Sequence, residues 1–236
     1  MRIFCLIPAY NEKENLKPLI NKLTKILPKF SPNYLIYFVI QGDDGSIAEL
    51  KKIKSINKKI DWIYFKNPLG IGRAYKKGFD KVTGKFSHVL TLDADLNHDP
   101  KEIGQFIAKM KDGEADLVIG SRFIKGGSFN DKRRWKRIIS LLMNKVMTYF
   151  WKINVHDISS GYRLMKRGLI LDIRSDLKES GYPNYMELVI RSAQKGYKLK
   201  EIPIKYQARI WGESKMGKWR TLIDYLGFLS RMIFSI

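Results

Sequence analysis

Short runs of continuous apolar residues alternate along the chain with longer stretches in which apolar positions recur every three or four residues. The first run, residues 2–7, ends in Pro8-Ala9-Tyr10-Asn11-Glu12, after which Leu16, Leu19, Ile20, Leu23 and Leu27 fall on one helical face. Asn11 and Glu14 have the spacing of a capping box at the start of that helix. A second run, residues 34–40, ends in Gln41-Gly42-Asp43-Asp44-Gly45-Ser46 and is followed by a helical repeat at Ile47, Leu50, Ile53 and Ile56. A third run covers residues 62–65, Gly70 to Gly78 opens another helix, and further runs cover residues 88–92 and 116–119. Continuous apolar strands separated by helices indicate parallel strands buried on both faces. The pattern therefore predicts an α/β fold with a mainly parallel central sheet and helices on both faces. Ligands of such sheets bind beyond the carboxyl ends of the strands. Residues 8–12, 43–44 and 93–95 are polar clusters at those ends.

The third cluster carries the clearest chemistry. Asp93 and Asp95 stand one residue apart at the end of an apolar strand, and carboxylate oxygens are the hard ligands that Mg²⁺ or Mn²⁺ shares with substrate phosphates. The pair predicts a diphosphate-bearing ligand. A lone Asp-X-Asp is also common in solvated turns; the coincidence with two more polar clusters at consecutive strand ends is what makes it a site. Gly70-X-Gly72 with Gly78 has the wrong spacing for a dinucleotide fingerprint and is read as tight turning and close packing.

Pro8-Ala9-Tyr10-Asn11-Glu12, Asp43-Asp44-Gly45-Ser46, Asp93-Ala94-Asp95-Leu96-Asn97-His98-Asp99-Pro100, Gly120-Ser121-Arg122, Ser160-Gly161-Tyr162-Arg163 and Gly212-Glu213-Ser214-Lys215 together resemble family 2 glycosyltransferases, in particular the dolichol-phosphate mannose synthase branch. The resemblance spans about residues 1–216. It implies a GT-A type nucleotide-diphospho-sugar transferase fold in a single domain over residues 1–236. Residues 1–122 would hold the nucleotide sugar, 123–216 would face the acceptor, and 217–236 would form an amphipathic helix. The activity implied is inverting, metal-dependent transfer of a hexose, mannose by branch, from a nucleoside-diphosphate sugar, GDP-mannose by branch, to a polyprenyl or dolichyl phosphate.

By the same resemblance, Pro8, Tyr10, Glu12, Gln41 and Asp43 would cradle the nucleoside. Asp93, Asp95 and Asn97 would hold Mg²⁺ or Mn²⁺, with Ala94 beside the donor. Arg122, Arg209 and Lys215 would set fixed positive charge against the donor diphosphate and the acceptor phosphate. The sequence departs from the family pattern at Asn97, where relatives often carry Gln or Ser, and at Gln41-Gly42, which replaces apolar residues. Alternatives are a UDP-sugar donor, a saccharide hydroxyl acceptor in surface-polysaccharide assembly, or a non-catalytic nucleotide-sugar-binding scaffold. A phosphate acceptor, with its second pKa at about 6, is already largely dianionic at neutral pH and needs no strong base. A hydroxyl acceptor does; Glu187 and Asp157 are the carboxylates best placed by motif, and each reads equally as a helix cap or an ion-pair partner. For a phosphate, Lys136 and Arg137 are candidate cations.

Composition narrows the partners. At 236 residues and 44% hydrophobic the chain can bury one large core. Its 44 Lys and Arg exceed 23 Asp and Glu by 21, which suits polyanions: nucleotides, nucleic acid or an anionic membrane surface. No zinc-ligand spacing, RNA-binding signature or basic tail accompanies the charge, so no nucleic-acid partner is expected. The single cysteine, Cys5, sits inside the first apolar run and reads as a buried small hydrophobe. No signal peptide is expected, since the first apolar run is short and is followed by Pro8 and charge, and no stretch approaches the roughly 20 apolar residues that span a bilayer. Two segments have the makeup of interfacial helices. Residues 131–152 put Lys132, Arg133, Arg134, Lys136 and Arg137 ahead of Ile138, Leu141, Leu142, Tyr149, Phe150 and Trp151. Residues 217–236 combine Trp219, Leu222, Ile223, Leu226 and Met232-Ile233-Phe234 with Lys218, Arg220 and Arg231. Packing on the core, or a dimer contact, is the competing reading. With a lipid acceptor implied, the expectation is a peripheral protein on the cytoplasmic face of a membrane, a membrane-anchoring partner subunit or a homodimer being left open.

Overall fold

The apolar runs and periodic stretches become β1 (Ile3–Tyr10), α1 (Lys13–Phe30), β2 (Tyr34–Gln41), α2 (Ser46–Ile56), β3 (Ile60–Phe65), α3 (Ile71–Phe79), β4 (His88–Thr91), α4 (Ile103–Lys111) and β5 (Leu117–Ser121). They are followed by β6 (Ser128–Phe129), α5 (Arg134–Phe150), β7 (Arg163–Lys166), α6 (Arg167–Ile173), α7 (Asn184–Gln194), β8 (Leu199–Pro203), β9 (Lys205–Tyr206) and α8 (Lys218–Phe234). The structure is a computed structural model that describes residues 1–131, 133–208 and 217–234. Arg209, Lys215 and the Gly-Glu-Ser-Lys motif, like Lys132 and the side chains of Lys218, Arg220, Ile233 and Phe234, lie outside the described residues.

One seven-stranded sheet runs in the order β3-β2-β1-β4-β7-β5-β8. It is parallel except for β7, which pairs antiparallel with both β4 and β5. Strands from both sequence halves therefore share one sheet. A separate ribbon pairs β6 with β9. Alternation along β1 sends Ile3, Cys5 and Ile7 to one face, against Leu16, Leu23, Leu50 and Phe106 from α1, α2 and α4. Phe4 and Leu6 go to the other face, with Ala74, Phe79, Met147, Met186, Val189 and Phe228 from α3, α5, α7 and α8. Each of the larger aliphatic and aromatic side chains among these contributes about 1.5–3 kcal/mol through burial. Cys5 is fully buried, and burial pushes its thiol pKa far up, so it is an inert core residue.

The Asn11–Glu14 capping box does not form. Asn11 takes φ 52°, α1 starts at Lys13, and the Lys13 N–H is satisfied by Asp44 Oδ2 at 2.9 Å, so the cap comes from the neighbouring strand end. Among the described residues no helix is long and apolar enough to cross a membrane.

Candidate active site

Because β2, β1 and β4 lie side by side and parallel, the residues at their carboxyl ends share one edge; Tyr10 is in register with Gln41, and Asp93 follows β4. A cleft of ≈ 1560 Å³ opens there, lined by Pro8, Tyr10, Glu12, Gln41, Asp93, Ala94, Asp95 and Asn97 among others. Two strand spacings, about 10 Å, separate the end of β2 from the acidic loop.

At the β2 end, Gln41 Oε1 accepts the Leu69 N–H at 2.7 Å, which ties the strand end to the loop that starts α3. Glu12 Oε2 accepts from Asn15 Nδ2 at 2.6 Å. Asp43 is exposed and is not among the residues lining the cleft. Its neighbour Asp44 accepts N–H groups from Lys13 and from Ser46 at 2.9 and 3.0 Å. Burial would raise the Asp44 pKa, but these hydrogen bonds prevail and hold it below the usual carboxylate range.

In the acidic loop, Asp93 Oδ1 accepts from the Tyr185 hydroxyl at 2.9 Å. Gly161 permits this approach: a Cβ there would lie 2.8 Å from the Tyr185 ring and 3.1 Å from Asp93 Oδ1. The Asp93 N–H donates to His98 Nδ1 at 3.3 Å. Burial lowers the His98 pKa to about 4, so the ring is neutral and can accept. Leu96, at φ 62°, turns the chain so that Asp95 Oδ1 accepts the Asn97 N–H at 3.2 Å and Asp95 Oδ2 accepts from Asn97 Nδ2 at 2.8 Å. Asn97 Nδ2 also donates to the Tyr206 hydroxyl at 2.5 Å. Asn97 Oδ1 is buried with no hydrogen-bond partner among the described residues.

An unsatisfied buried oxygen is costly, and here it belongs to the residue hydrogen-bonded to Asp95. The donor set of Asp93, Asp95 and Asn97 is all oxygen and fits Mg²⁺ or Mn²⁺. Among the described residues no group of three or more His, Cys, Asp or Glu could hold an ion by itself, so a cation here would need oxygens from Asn97 and from a bound phosphate.

Arg122 lies elsewhere. Its Nε and Nη2 donate to Asp157 Oδ2 and Oδ1 at 2.7 and 2.8 Å, and Nη2 also reaches Ser159 Oγ at 2.7 Å. The guanidinium sits over the rings of Phe129, Phe123 and Tyr206 at 4.6, 5.2 and 5.5 Å. Burial would lower its pKa, but Asp157 outweighs burial and raises it. This charge is committed to a buried pair and is not among the cleft-lining groups. Among the described residues, the cations that line the cleft are Arg73, Arg133, Lys136, Lys178, Arg191 and Arg231. Lys136 pairs with Asp131 at 2.9 Å, and burial lowers its pKa; Arg137, one residue on, is exposed. Sequence reasoning singled out Lys136 as a phosphate ligand but gave no such role to Arg73, Lys178 or Arg191. Arg73, directly after the Gly70-X-Gly72 turn at the start of α3, carried a usable signal.

Glu187 lines the cleft, but its oxygens accept the N–H groups of Lys178 and Glu179 at 2.9–3.0 Å. The far wall is α8. Tyr225 and Phe228 bury one side of it, Thr221, Asp224, Arg231 and Met232 line the cleft, and Arg231 forks onto both oxygens of Glu179 at 2.9 Å. Its outer side exposes Trp219 (71%), Ile223 (66%) and Leu226 (53%). The α5 helix packs against α8 and exposes Ile138, Leu142, Tyr149 and Phe150 while burying Met143 and Met147.

Comparison with known proteins agrees with this architecture. Residues 4–174 match the family model for glycosyl transferase family 2. Polyprenol monophosphomannose synthase of Mycolicibacterium smegmatis is 29% identical over 223 residues, covering 92% of this chain and 81% of that protein. Dolichol-phosphate mannosyltransferase of Pyrococcus furiosus is 28% identical over 238 residues, covering 99% of this chain but 64% of its own length, so the chain spans less than two thirds of that relative. Among solved structures, glucosyl-3-phosphoglycerate synthase from Mycobacterium tuberculosis, in complex with Mn²⁺, UDP-glucose and glycerol 3-phosphate, has a TM-score of 0.67 at 14% identity, covering 98% of this chain and 79% of that one. Its complex with Mn²⁺ and UDP-glucose gives 0.68 at 13% identity, covering 98% and 78%. The GT-A type fold expected from the sequence is the fold found.

Proposed function

Because the chain belongs to glycosyl transferase family 2 and is a glycosyltransferase, we propose that it transfers a hexose from a nucleoside-diphosphate sugar to a polyprenyl phosphate, with inversion at the anomeric carbon. The relatives named for polyprenol and dolichol-phosphate mannose synthesis support mannose as the sugar and GDP-mannose as the donor. The observation that carries the reading is the single cleft that joins Tyr10, Glu12 and Gln41 to Asp93 and Asp95 and continues to a rim of Arg and Lys.

The nucleoside lies against Tyr10, Glu12 and Gln41, and the diphosphate extends toward the acidic loop. Asp93, Asp95 and Asn97 hold Mg²⁺ or Mn²⁺, which supplies Lewis-acid stabilisation of the charge on the departing nucleoside diphosphate. Arg209 and Lys215 belong to this proposal as cations for the two phosphates. Arg73, Lys136 and Arg191 add fixed positive charge for the acceptor phosphate, a contribution that can reach about 3 kcal/mol per preorganised group. The acceptor dianion attacks without a base. The commitments of Glu187 to backbone N–H groups and of Asp157 to Arg122 favour this over a hydroxyl acceptor. The exposed apolar sides of α5 and α8, with Arg134 and Arg137 exposed beside them, suit docking on an anionic membrane at its cytoplasmic face.

The test is incubation with Mn²⁺, a panel of nucleotide sugars and a short-chain polyprenyl phosphate. A lipid-linked hexose is expected, with GDP-mannose the best donor. Transfer to free saccharides but not to the lipid phosphate rejects the acceptor assignment.

A further inference from the structure

We infer that Tyr206 is a positioning residue that fixes the Asn97 carboxamide with its oxygen, not its nitrogen, free for a divalent cation. The inference rests on the reading of Asp93, Asp95 and Asn97 as cation ligands. A carboxamide is two-faced: its nitrogen carries two donors and cannot ligate a hard cation, whereas its oxygen can. In Asn97 both donors are used, one on Asp95 Oδ2 at 2.8 Å and one on the Tyr206 hydroxyl at 2.5 Å, and the buried oxygen is the atom left over. With the amide turned over, Oδ1 would face the Asp95 carboxylate, oxygen against oxygen, so Asp95 decides which end of the amide points inward and Tyr206 holds the group in that place.

Tyr206 is itself held firmly enough to serve. It is paired through β9 with Phe129 of β6, and its ring stacks on Phe129 at 4.9 Å. The Arg122 guanidinium lies 5.5 Å from the ring and is anchored by Asp157. The next residue, Gln207, donates its N–H to the Asn97 carbonyl at 3.0 Å, so backbone and side chain both tie β9 to the acidic loop. The Asp157–Arg122 pair thus acts on the site at one remove, through the aromatic stack that supports Tyr206.

The experiment is Mn²⁺ titration of the full chain, read by loss of the free-ion EPR signal, alone and with saturating GDP. Tyr206→Phe keeps the ring and removes the hydroxyl; it should weaken Mn²⁺ binding about tenfold, a usual cost of losing a partner that orients a ligand. Asn97→Leu should weaken it at least as much, and Tyr206→Phe should then add nothing in the Asn97→Leu background, because the two act through one atom. Thermal melts of each variant check that the fold is kept. Unchanged affinity in Tyr206→Phe, or losses that add in the double variant, overturn the inference while leaving the cation reading in place. A parent chain that binds no Mn²⁺ under either condition takes down both.

Discussion

Two acidic pairs occupy matching places in the sheet, Asp43-Asp44 past the end of β2 and Asp93-Ala94-Asp95 past the end of β4, and the fold uses them differently. The Asp44 oxygens are taken by the first N–H groups of α1 and α2, where a negative charge also complements the helix dipoles. Asp43 faces solvent. The Asp93 and Asp95 carboxylates meet side-chain donors from Tyr185 and Asn97, in a cleft, beside a buried oxygen with no partner among the described residues. A strand-end carboxylate filled by helix N-termini is building the fold; one held by side-chain donors in a cleft, next to an unsatisfied oxygen, is the one the proposed function gives to a ligand.

The contrast is strained hardest by Asp157, which a motif puts near the site and the structure puts under Arg122. Asp157→Ala leaves a buried guanidinium unpaired and should cost about 3–5 kcal/mol of stability, measured by urea unfolding. A loss of activity without a loss of stability would instead make Asp157 a site residue. Asp95→Ala should lower hexose transfer by about 10²–10³-fold with an unchanged melting temperature; wild-type transfer in that variant would reject the metal assignment. Asp44→Ala should do the reverse, lowering stability by about 1 kcal/mol through lost capping while per-molecule transfer holds. Last is Glu102, whose Oε1 accepts the Lys205 N–H at 2.8 Å while Oε2 is buried with no partner among the described residues. Burial pushes its pKa from 4.5 up to about 7. Because the folded pKa is the higher one, its contribution to stability is complete below about pH 4.5 and lost as pH rises through about 7. The buried His88 and His98, with pKa values lowered to about 4, act in the opposite sense over the same range, so the test is the difference between variant and parent: the melting temperature of Glu102→Gln relative to the parent should rise from about pH 5 to about pH 8, and a difference that does not change with pH would show that the carboxyl ionises freely.

Legibility in the sequence followed how local the determining interactions are. β1 and β2 are long unbroken apolar runs, and the heptad-like spacing of Leu16, Leu19, Ile20, Leu23 and Leu27 is unmistakable, so these elements and the edge they form could be read directly. β7, only Arg163-Leu164-Met165-Lys166, is too short and too charged at its ends to stand out, and its antiparallel insertion between β4 and β5 is decided by pairing with distant strands. The same holds for the site. Tyr10, Glu12, Gln41, Asp93 and Asp95 reach the cleft because they directly follow or end strands. Tyr206 meets Asn97 across 109 positions, and Arg191 and Arg231 arrive on α7 and α8, so no local pattern announces them. The helix start missed at Asn11 has the same origin, since its cap is supplied from the end of the neighbouring strand.

The α8 helix has one side in the cleft and a tryptophan, an isoleucine and a leucine on the side facing out. A greasy chain resting along that outward side is separated from the cleft only by the girth of a single helix, about 10 Å. With the proposed lipid-phosphate acceptor, the long hydrocarbon tail would remain outside while its charged end rounds the helix into the cleft, and the protein would not have to engulf the part that water rejects.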